Sequence, residues 1–198
     1  MVKDALILAG GENTRLPLVK GFLEINGNRI IDLNVGILSS IFDRVIISTN
    51  NPELYSYLGV LMVGDIIKDR GPMTGIFSAL TIPEVSDVFV TACDMPFINP
   101  VLVKYVVERW SDKWDAAIPV FDKEPQPLFG IYSKKIAETI YENIKKGERS
   151  LKRFLQKIKV LYIGEEEVKR IDSDGKSFIN INTMEDFQRE IGGKTCLV

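Results

Sequence analysis

The sequence contains no histidine. That absence excludes a Ser-His-Asp triad, a Cys-His pair and a histidine-rich zinc site. Any acid–base or metal chemistry must run through carboxylates, Lys, Tyr or Cys. Cysteine is nearly absent too: Cys93 and Cys196 lie far apart and offer neither a disulfide framework nor zinc spacing, a usage that suits a reducing, cytoplasmic setting. No apolar run reaches membrane-spanning length, and the chain opens directly into a strand-like segment rather than a secretory signal. The net charge of −2 argues against nucleic-acid binding as the main business, since that usually needs a basic surface. Neither the P-loop pattern nor the G-x-G-x-x-G dinucleotide fingerprint is present. Cys196 stands third from the end, outside the prenylation pattern, and residues 192–198 read as a flexible tail.

What remains is an ordinary globular composition, 45% hydrophobic and 26% charged over 198 residues, enough for one sizeable core. Apolar β-rich runs at Ala5–Ala9, Arg44–Thr49, Val60–Val63, Asp87–Ala92 and Ala116–Val120 read as strands. Helical patterns at Ile30–Ile41, Pro52–Leu58, Met73–Leu80 and Pro100–Trp110 separate them. Val45-Ile46-Ile47 and Val88-Phe89-Val90 are apolar on consecutive residues, as expected of strands covered by helices on both faces. The alternation predicts an α/β fold: a single three-layer, doubly wound domain over residues 1–198 with a mostly parallel sheet. Further on, Leu128–Tyr132 reads as an edge or antiparallel strand, Lys134–Lys145 and Ser150–Lys157 as helices, and Phe178–Ile181 as a last strand. A closing helix spans Met184–Ile191, with Asn182 and Thr183 as N-cap candidates. Asp4, Asp32, Asp43 and Glu165–Glu167 read as surface charge.

Five constellations carry candidate chemistry. Gly10-Gly11 directly follows the first strand, where an α/β sheet binds its ligand, and Arg15 and Lys20 follow it. Such a loop either makes a tight turn or lets backbone N–H groups approach a phosphate while the two cations neutralise it. Asp94 follows Val88–Cys93 at the carboxyl end of a predicted central strand and is placed either to hold Mg²⁺ against nucleotide phosphates or to cap a turn before Pro96. Asp65, Asp69 and Gly71-Pro72-Met73-Thr74-Gly75 form the third group. The glycines would permit close approach by a flat base, and an aspartate there could accept the N1–H and 2-amino hydrogens of guanine. Fourth, residues 134–159 hold nine Lys/Arg against three Glu. Most of these form a solvated face, while Arg149 and Lys152 are candidates for a second phosphorylated substrate. Asn180 and Asn182 alternate around Ile181 as a substrate contact and a cap.

The segments LILAGGENTR, Lys20, Asp65 with GPMTGI, ACDMPF, QPLFGIY, GERSL and INTMEDF, taken in order, resemble the molybdenum cofactor guanylyltransferases over nearly the whole chain. The resemblance implies a Rossmann-like fold of the nucleotide-diphospho-sugar transferase type. It also implies Mg²⁺-dependent transfer of GMP from GTP to molybdopterin in the cytoplasm, with transient contact with enzymes that use the cofactor. It assigns Leu8, Ala9 and Gly10 to backbone contacts with GTP, Gly11 and Arg15 to its phosphates, and Lys20 to charge neutralisation. Asp65 matches the guanine-side aspartate, Asp94 the Mg²⁺ ligand, and Asn180 and Asn182 the pterin side. Gly10 and Gly75 match the forms that take guanine rather than cytosine. The chain departs from the family at Leu16-Pro17-Leu18-Val19, where glycines are usual, and at Ser48, where asparagine is frequent and Asn50 stands nearby. Those departures keep open a related nucleotidyltransferase with a sugar-phosphate or cobalamin-precursor acceptor, or a GTP-binding regulator without turnover.

Overall fold

The computed structural model describes residues 2–10, 20–67 and 71–191, with Lys20 described in its backbone alone. The strands are β1 (Asp4–Leu8), β2 (Glu24–Ile25), β3 (Asn28–Arg29), β4 (Arg44–Ser48), β5 (Leu61–Val63), β6 (Asp87–Ala92), β7 (Ala116–Phe121), β8 (Glu124–Pro125), β9 (Gly130–Ser133) and β10 (Val160–Ile163). The helices are α1 (Ile30–Ser39), α2 (Pro72–Leu80), α3 (Pro100–Arg109), α4 (Ala137–Lys145), α5 (Leu151–Leu155), α6 (Glu165–Lys169) and α7 (Met184–Ile191).

One sheet runs β10-β7-β9-β6-β1-β4-β5, with β8 paired to β7. β1 lies parallel to both β4 and β6, β4 to β5, and β7 to β10. β9 is antiparallel to both neighbours, β6 and β7. It is an interior strand, and Gly130 explains its place there. A Cβ at Gly130 would stand 2.5 Å from the Ala117 carbonyl oxygen, so only glycine lets the two backbones approach this closely.

Side-chain alternation along β1 separates two apolar layers. Ala5 and Ile7 join Ile31 and Leu38 of α1, Leu102 and Val103 of α3, and Val168 of α6. Leu6 and Leu8 join Met73, Ile76 and Ala79 of α2, Ile140 of α4 and Phe154 of α5 on the other face. A smaller cluster, Leu23, Ile30, Ile181, Phe187 and Ile191, packs α7 against the entrance to α1.

Several expectations need correction. Pro52–Leu58 forms two short 3-10 turns rather than a helix, because Tyr55, buried at φ −117°, interrupts the helical path and Gly59 ends it in the left-handed region. Phe178–Ile181 joins no ladder. Phe178 is held by the rings of Phe121 and Phe129, and Ile181 donates its N–H to the Asp94 carbonyl at 2.9 Å. Asp4 is not surface charge: it is 4% exposed, and its carboxylate accepts from Arg44 Nε at 2.6 Å. Asp32 accepts the Tyr57 hydroxyl at 2.7 Å, and Glu167 accepts both the Tyr105 hydroxyl and the Arg109 guanidinium. The hairpin β2–β3 was signalled by Asn26-Gly27, both with positive φ, the preferred pair for a two-residue hairpin turn. Among the described residues, no helix is long and apolar enough to cross a membrane.

Candidate functional site

The carboxyl ends of β1, β4, β5 and β6 share one edge of the sheet, since these strands are parallel. Backbone bonds extend the ladder past the strand ends. Ala9 N–H donates to the Ser48 carbonyl at 2.9 Å, Thr49 N–H to the Val63 carbonyl at 2.9 Å, and Cys93 N–H to the Leu8 carbonyl at 3.0 Å. Gly10, Asn50, Asp65 and Asp94 therefore leave the sheet from adjacent, mutually tethered strands. In an open α/β sheet that is the crevice where ligands bind.

Leu8 is buried at the end of β1, Ala9 is half-buried and Gly10 is exposed. Gly11, Arg15 and Asp69, like Cys196 and the tail 192–198, lie outside the described residues. Lys20 opens a 3-10 turn, Lys20–Phe22, that returns to the same edge. A Cβ at Gly21 would stand 3.4 Å from Cys93 Cβ, so the turn is seated directly beside the residue preceding Asp94. Phe22 anchors that turn from outside, edge-on to buried Tyr55 and under the Arg29 guanidinium at 4.7 Å. Burial pushes the Tyr55 phenol well above its ordinary pKa, so it stays neutral as a packing group.

Asp94 follows β6 in a tight turn, Met95 N–H donating to the Ala92 carbonyl at 3.3 Å. The Met95 thioether sits beneath it, accepting from the Thr91 hydroxyl at 3.3 Å and Ala92 N–H at 3.4 Å. The Ile181 N–H bond to the Asp94 carbonyl brings Asn180 and Asn182 to either side of this turn. Asn180 donates to the Phe178 carbonyl at 3.3 Å, while its Oδ1 is buried with no hydrogen-bond partner among the described residues. Asn182 is exposed and its backbone belongs to the start of α7. Thr183 is the cap there. Its hydroxyl accepts from Asp186 N–H at 3.0 Å, and Asp186 accepts in return from the N–H groups of Asn182 and Thr183. The Asn182 N–H and the Thr183 side chain hold the Asp186 carboxylate below its usual pKa range.

Asp65 lies one residue past Gly64 at the end of β5, clasped by Asn50. Asn50 Nδ2 donates to Asp65 Oδ2 at 2.7 Å, and Asn50 Oδ1 accepts Asp65 N–H at 2.8 Å. Ser78, fully buried on α2, accepts the next N–H, that of Ile66, at 3.1 Å. Gly71 has φ +137° and precedes Pro72 at the exposed start of α2, where no atom would meet a Cβ. Gly75 is a correction to the ligand-approach expectation. It is buried, and a Cβ there would stand 2.6 Å from Ser48 Oγ and 2.7 Å from Leu8 Cδ2, so protein fills that space.

Arg149 is exposed in the turn between α4 and α5, which Gly147 makes with φ +75°. Glu148 accepts Ser150 N–H at 2.9 Å there, which lowers its pKa. Lys152 pairs with Glu124 of β8 at 2.7 Å, tying the start of α5 to the β7–β8 hairpin. Lys134, by contrast, caps the Ile82 carbonyl at 2.9 Å. Sequence patterning missed Asn34, which is fully buried on α1 and reaches the Ala92 carbonyl at 3.5 Å. Its signal was a polar residue on the buried face marked by Ile30, Ile31 and Leu38.

Among the described residues, no group of three or more acidic or Cys side chains is close enough to form a complete metal cage. Asp94, half-buried just past the carboxyl end of β6, offers a hard oxygen donor at this edge of the sheet. Such a sparse set suits Mg²⁺, which keeps waters and takes its other ligands from substrate phosphates.

Comparison with known proteins agrees with this architecture. The family model for the MobA-like NTP transferase domain matches residues 5–161. A probable molybdenum cofactor guanylyltransferase of Peptoclostridium acidaminophilum is 37% identical over 94% of this chain and 87% of its own length. A molybdenum cofactor guanylyltransferase of Syntrophotalea carbinolica is 33% identical over 94% and 89%. The crystal structure of molybdopterin-guanine dinucleotide biosynthesis protein A from Archaeoglobus fulgidus superposes with a TM-score of 0.80 at 26% identity, covering 95% of this chain and 96% of that one. The chain belongs to the MobA-like NTP transferase family.

Proposed function

We propose that this protein is a guanylyltransferase that moves GMP from GTP to molybdopterin, giving molybdopterin guanine dinucleotide and pyrophosphate. The observation that carries the reading is the convergence of Gly10, Asp65 and Asp94 on one tethered edge of parallel strands, in a chain whose relatives bear that activity in their names. Asp65 accepts hydrogen bonds from the guanine edge, and the backbone of Leu8, Ala9 and Gly10 passes along the nucleotide. Gly11, Arg15 and Lys20 neutralise the phosphates, and Gly71 leaves the rim of the base site open. Asp94 would hold Mg²⁺, which when bound supplies positive charge to the phosphates. Asn180, Asn182 and Arg149 face the acceptor.

The terminal phosphate of the acceptor is already ionised at neutral pH, so no strong general base is needed. Its oxygen bonds to the α-phosphorus of GTP as the bond to the β-phosphate oxygen breaks, and the electron pair leaves with pyrophosphate. Positioning and charge neutralisation do the work, which a chain without histidine can supply. A soluble, cytoplasmic enzyme fits this chemistry.

The test is pyrophosphate release from GTP, CTP, ATP and UTP with Mg²⁺, with and without molybdopterin. Release confined to GTP plus molybdopterin, and cut at least about a hundredfold by Asp94→Ala, is the expected result. GTP binding without release under any of these conditions would refute the assignment.

A further inference from the structure

Asp65 is held from two sides by side chains of other elements. Asn50, just past β4, bonds both its carboxylate and its backbone N–H, at 2.7 and 2.8 Å. Ser78 of α2 holds the N–H of the following residue, Ile66, at 3.1 Å. Two consecutive backbone donors are thus occupied by side chains from opposite flanks rather than by the loop's own carbonyls. Asn50 itself sits on a braced turn, since Asn51 N–H donates to Thr49 Oγ1 at 3.1 Å and Thr49 N–H is laddered to Val63.

The chemistry of the clasp is directional. A carboxylate carries about four lone-pair sites, and Asn50 Nδ2 takes one of them on Oδ2. A second bond, donated by Asp65 N–H to Oδ1 of the same amide, ties the Asn50 side chain to the Asp65 backbone as well as to its carboxylate. One lone pair on Oδ2 and both on Oδ1 remain, in a fixed plane. A fixed carboxylate plane matters only to a partner that reads both oxygens. The N1–H and 2-amino group of guanine form such a two-pronged donor, whereas hypoxanthine offers N1–H alone.

We propose that Asn50 is the positioning residue for Asp65 and sets discrimination in favour of a base bearing a 2-amino group. The proposal rests on the assignment of Asp65 to the guanine edge made above. Asn50 does not touch the base; it fixes the carboxylate that does.

The experiment measures the Kd of GTP and of ITP by calorimetry for the wild type, Asn50→Ser, Asn50→Asp and Asp65→Asn, with melting curves for each. The wild type is expected to prefer GTP about tenfold or more, the worth of one charge-assisted hydrogen bond. Asn50→Ser frees the carboxylate, and Asn50→Asp sets a like charge against it. In both, GTP is expected to weaken about tenfold and ITP by about threefold or less, so the preference collapses. Equal weakening of GTP and ITP in both Asn50 variants, with the preference still abolished by Asp65→Asn, would overturn the positioning role and leave Asp65 as the base reader. A wild-type preference that survives Asp65→Asn, or none in the wild type, would overturn the proposal together with the assignment beneath it.

Discussion

The same substitution made at two helical glycines should move stability in opposite directions. Gly75, in the middle of α2, presses on the ends of β1 and β4. A methyl there would stand 2.6 Å from Ser48 Oγ, 2.7 Å from Leu8 Cδ2 and 3.3 Å from Ser48 Cβ. Non-bonded carbons rest at about 3.5–4.0 Å, so the helix must lift or both neighbours must turn. Neither neighbour has room to turn freely, because Ser48 is 3% exposed and Leu8 9%. Overpacking of this kind costs about 1–3 kcal/mol. Alanine in place of a helical glycine returns about 0.5–1 kcal/mol of backbone entropy. Gly75→Ala should therefore lose roughly 0.5–2 kcal/mol net, which in a protein of this size is about 1–8 °C in Tm.

Gly36, exposed on α1, is the control. A Cβ there meets nothing within 4 Å, so only the entropy term acts and Gly36→Ala should gain about 0.5–1 kcal/mol. Thermal and urea unfolding of both variants, followed by circular dichroism, gives the two signs. In a Ser48→Ala background, the Gly75→Ala loss should shrink by about 0.5 kcal/mol or more, because one of the two collisions is gone. If Gly75→Ala is as stable as the wild type, α2 has slack over the sheet and the close-packing account of this glycine is wrong.

Three further outcomes follow from the same geometry. Gly130→Ala directs a methyl at the Ala117 backbone carbonyl, 2.5 Å away, and backbone cannot yield as a side chain can. The loss should exceed that of Gly75→Ala, at about 3 kcal/mol or more, and a soluble variant with wild-type Tm would contradict it. Arg44→Met leaves the buried Asp4 carboxylate without its cation and should cost about 2–4 kcal/mol in urea unfolding. Asp4→Asn, which removes the charge itself, should cost clearly less, and the reverse order would be decisive against this account. Asp186 has a folded pKa below its unfolded one, so its stabilisation is present above the unfolded value of about 3.9 and fades as pH falls through the depressed folded value. The stability gap between the wild type and Asp186→Asn should be open at neutral pH and close in acid; a gap constant with pH would show that the carboxylate's charge plays no part in the cap.

The elements that were legible in the sequence are those whose apolar runs are buried on both faces. β1, β4 and β6 sit at the centre of the sheet, and their continuous Ile, Val and Leu runs have no competing reading. Illegibility set in towards the edges. β10, Val160–Ile163, lies at the sheet margin with Tyr162 exposed, so its pattern lacks the doubly buried signature. Phe178–Ile181 has strand composition, yet its apolar residues serve an aromatic cluster and a single bond to Asp94. Charged residues were harder still. The Asp4–Arg44 pair joins adjacent strands across 40 positions, and nothing local distinguishes Asp4 from exposed Asp43. In the site, the strand-end Asp94 could be placed from the strand before it. The Asn50–Asp65 clasp could not, because it depends on β4 and β5 being neighbours in register.

The tethers at the sheet edge bear on how such a site can work without a histidine. If catalysis consists of holding two phosphorylated substrates in line and meeting the charge that develops, any freedom in the groups that hold them is a direct loss. Here the backbone around Asp94 is fixed twice, by Cys93 N–H on the Leu8 carbonyl and by Ile181 N–H on the Asp94 carbonyl. Asp65 is fixed by Asn50, and Ile66 by Ser78. The Ile181 bond also joins the far end of the chain, through the capped α7, to the strand that carries the proposed metal ligand. A change at the Asp186 cap should therefore affect more than global stability. Loosening α7 releases the Asn180–Asn182 segment from Asp94, and acceptor KM should rise before GTP affinity falls, because Asp65 and Asn50 are anchored on the opposite side of β1 from Asp94. Asp186→Asn, assayed at neutral pH with each substrate varied in turn, separates the two. Equal deterioration towards both substrates would mean that the C-terminal helix supports the fold as a whole and carries no particular duty to the acceptor.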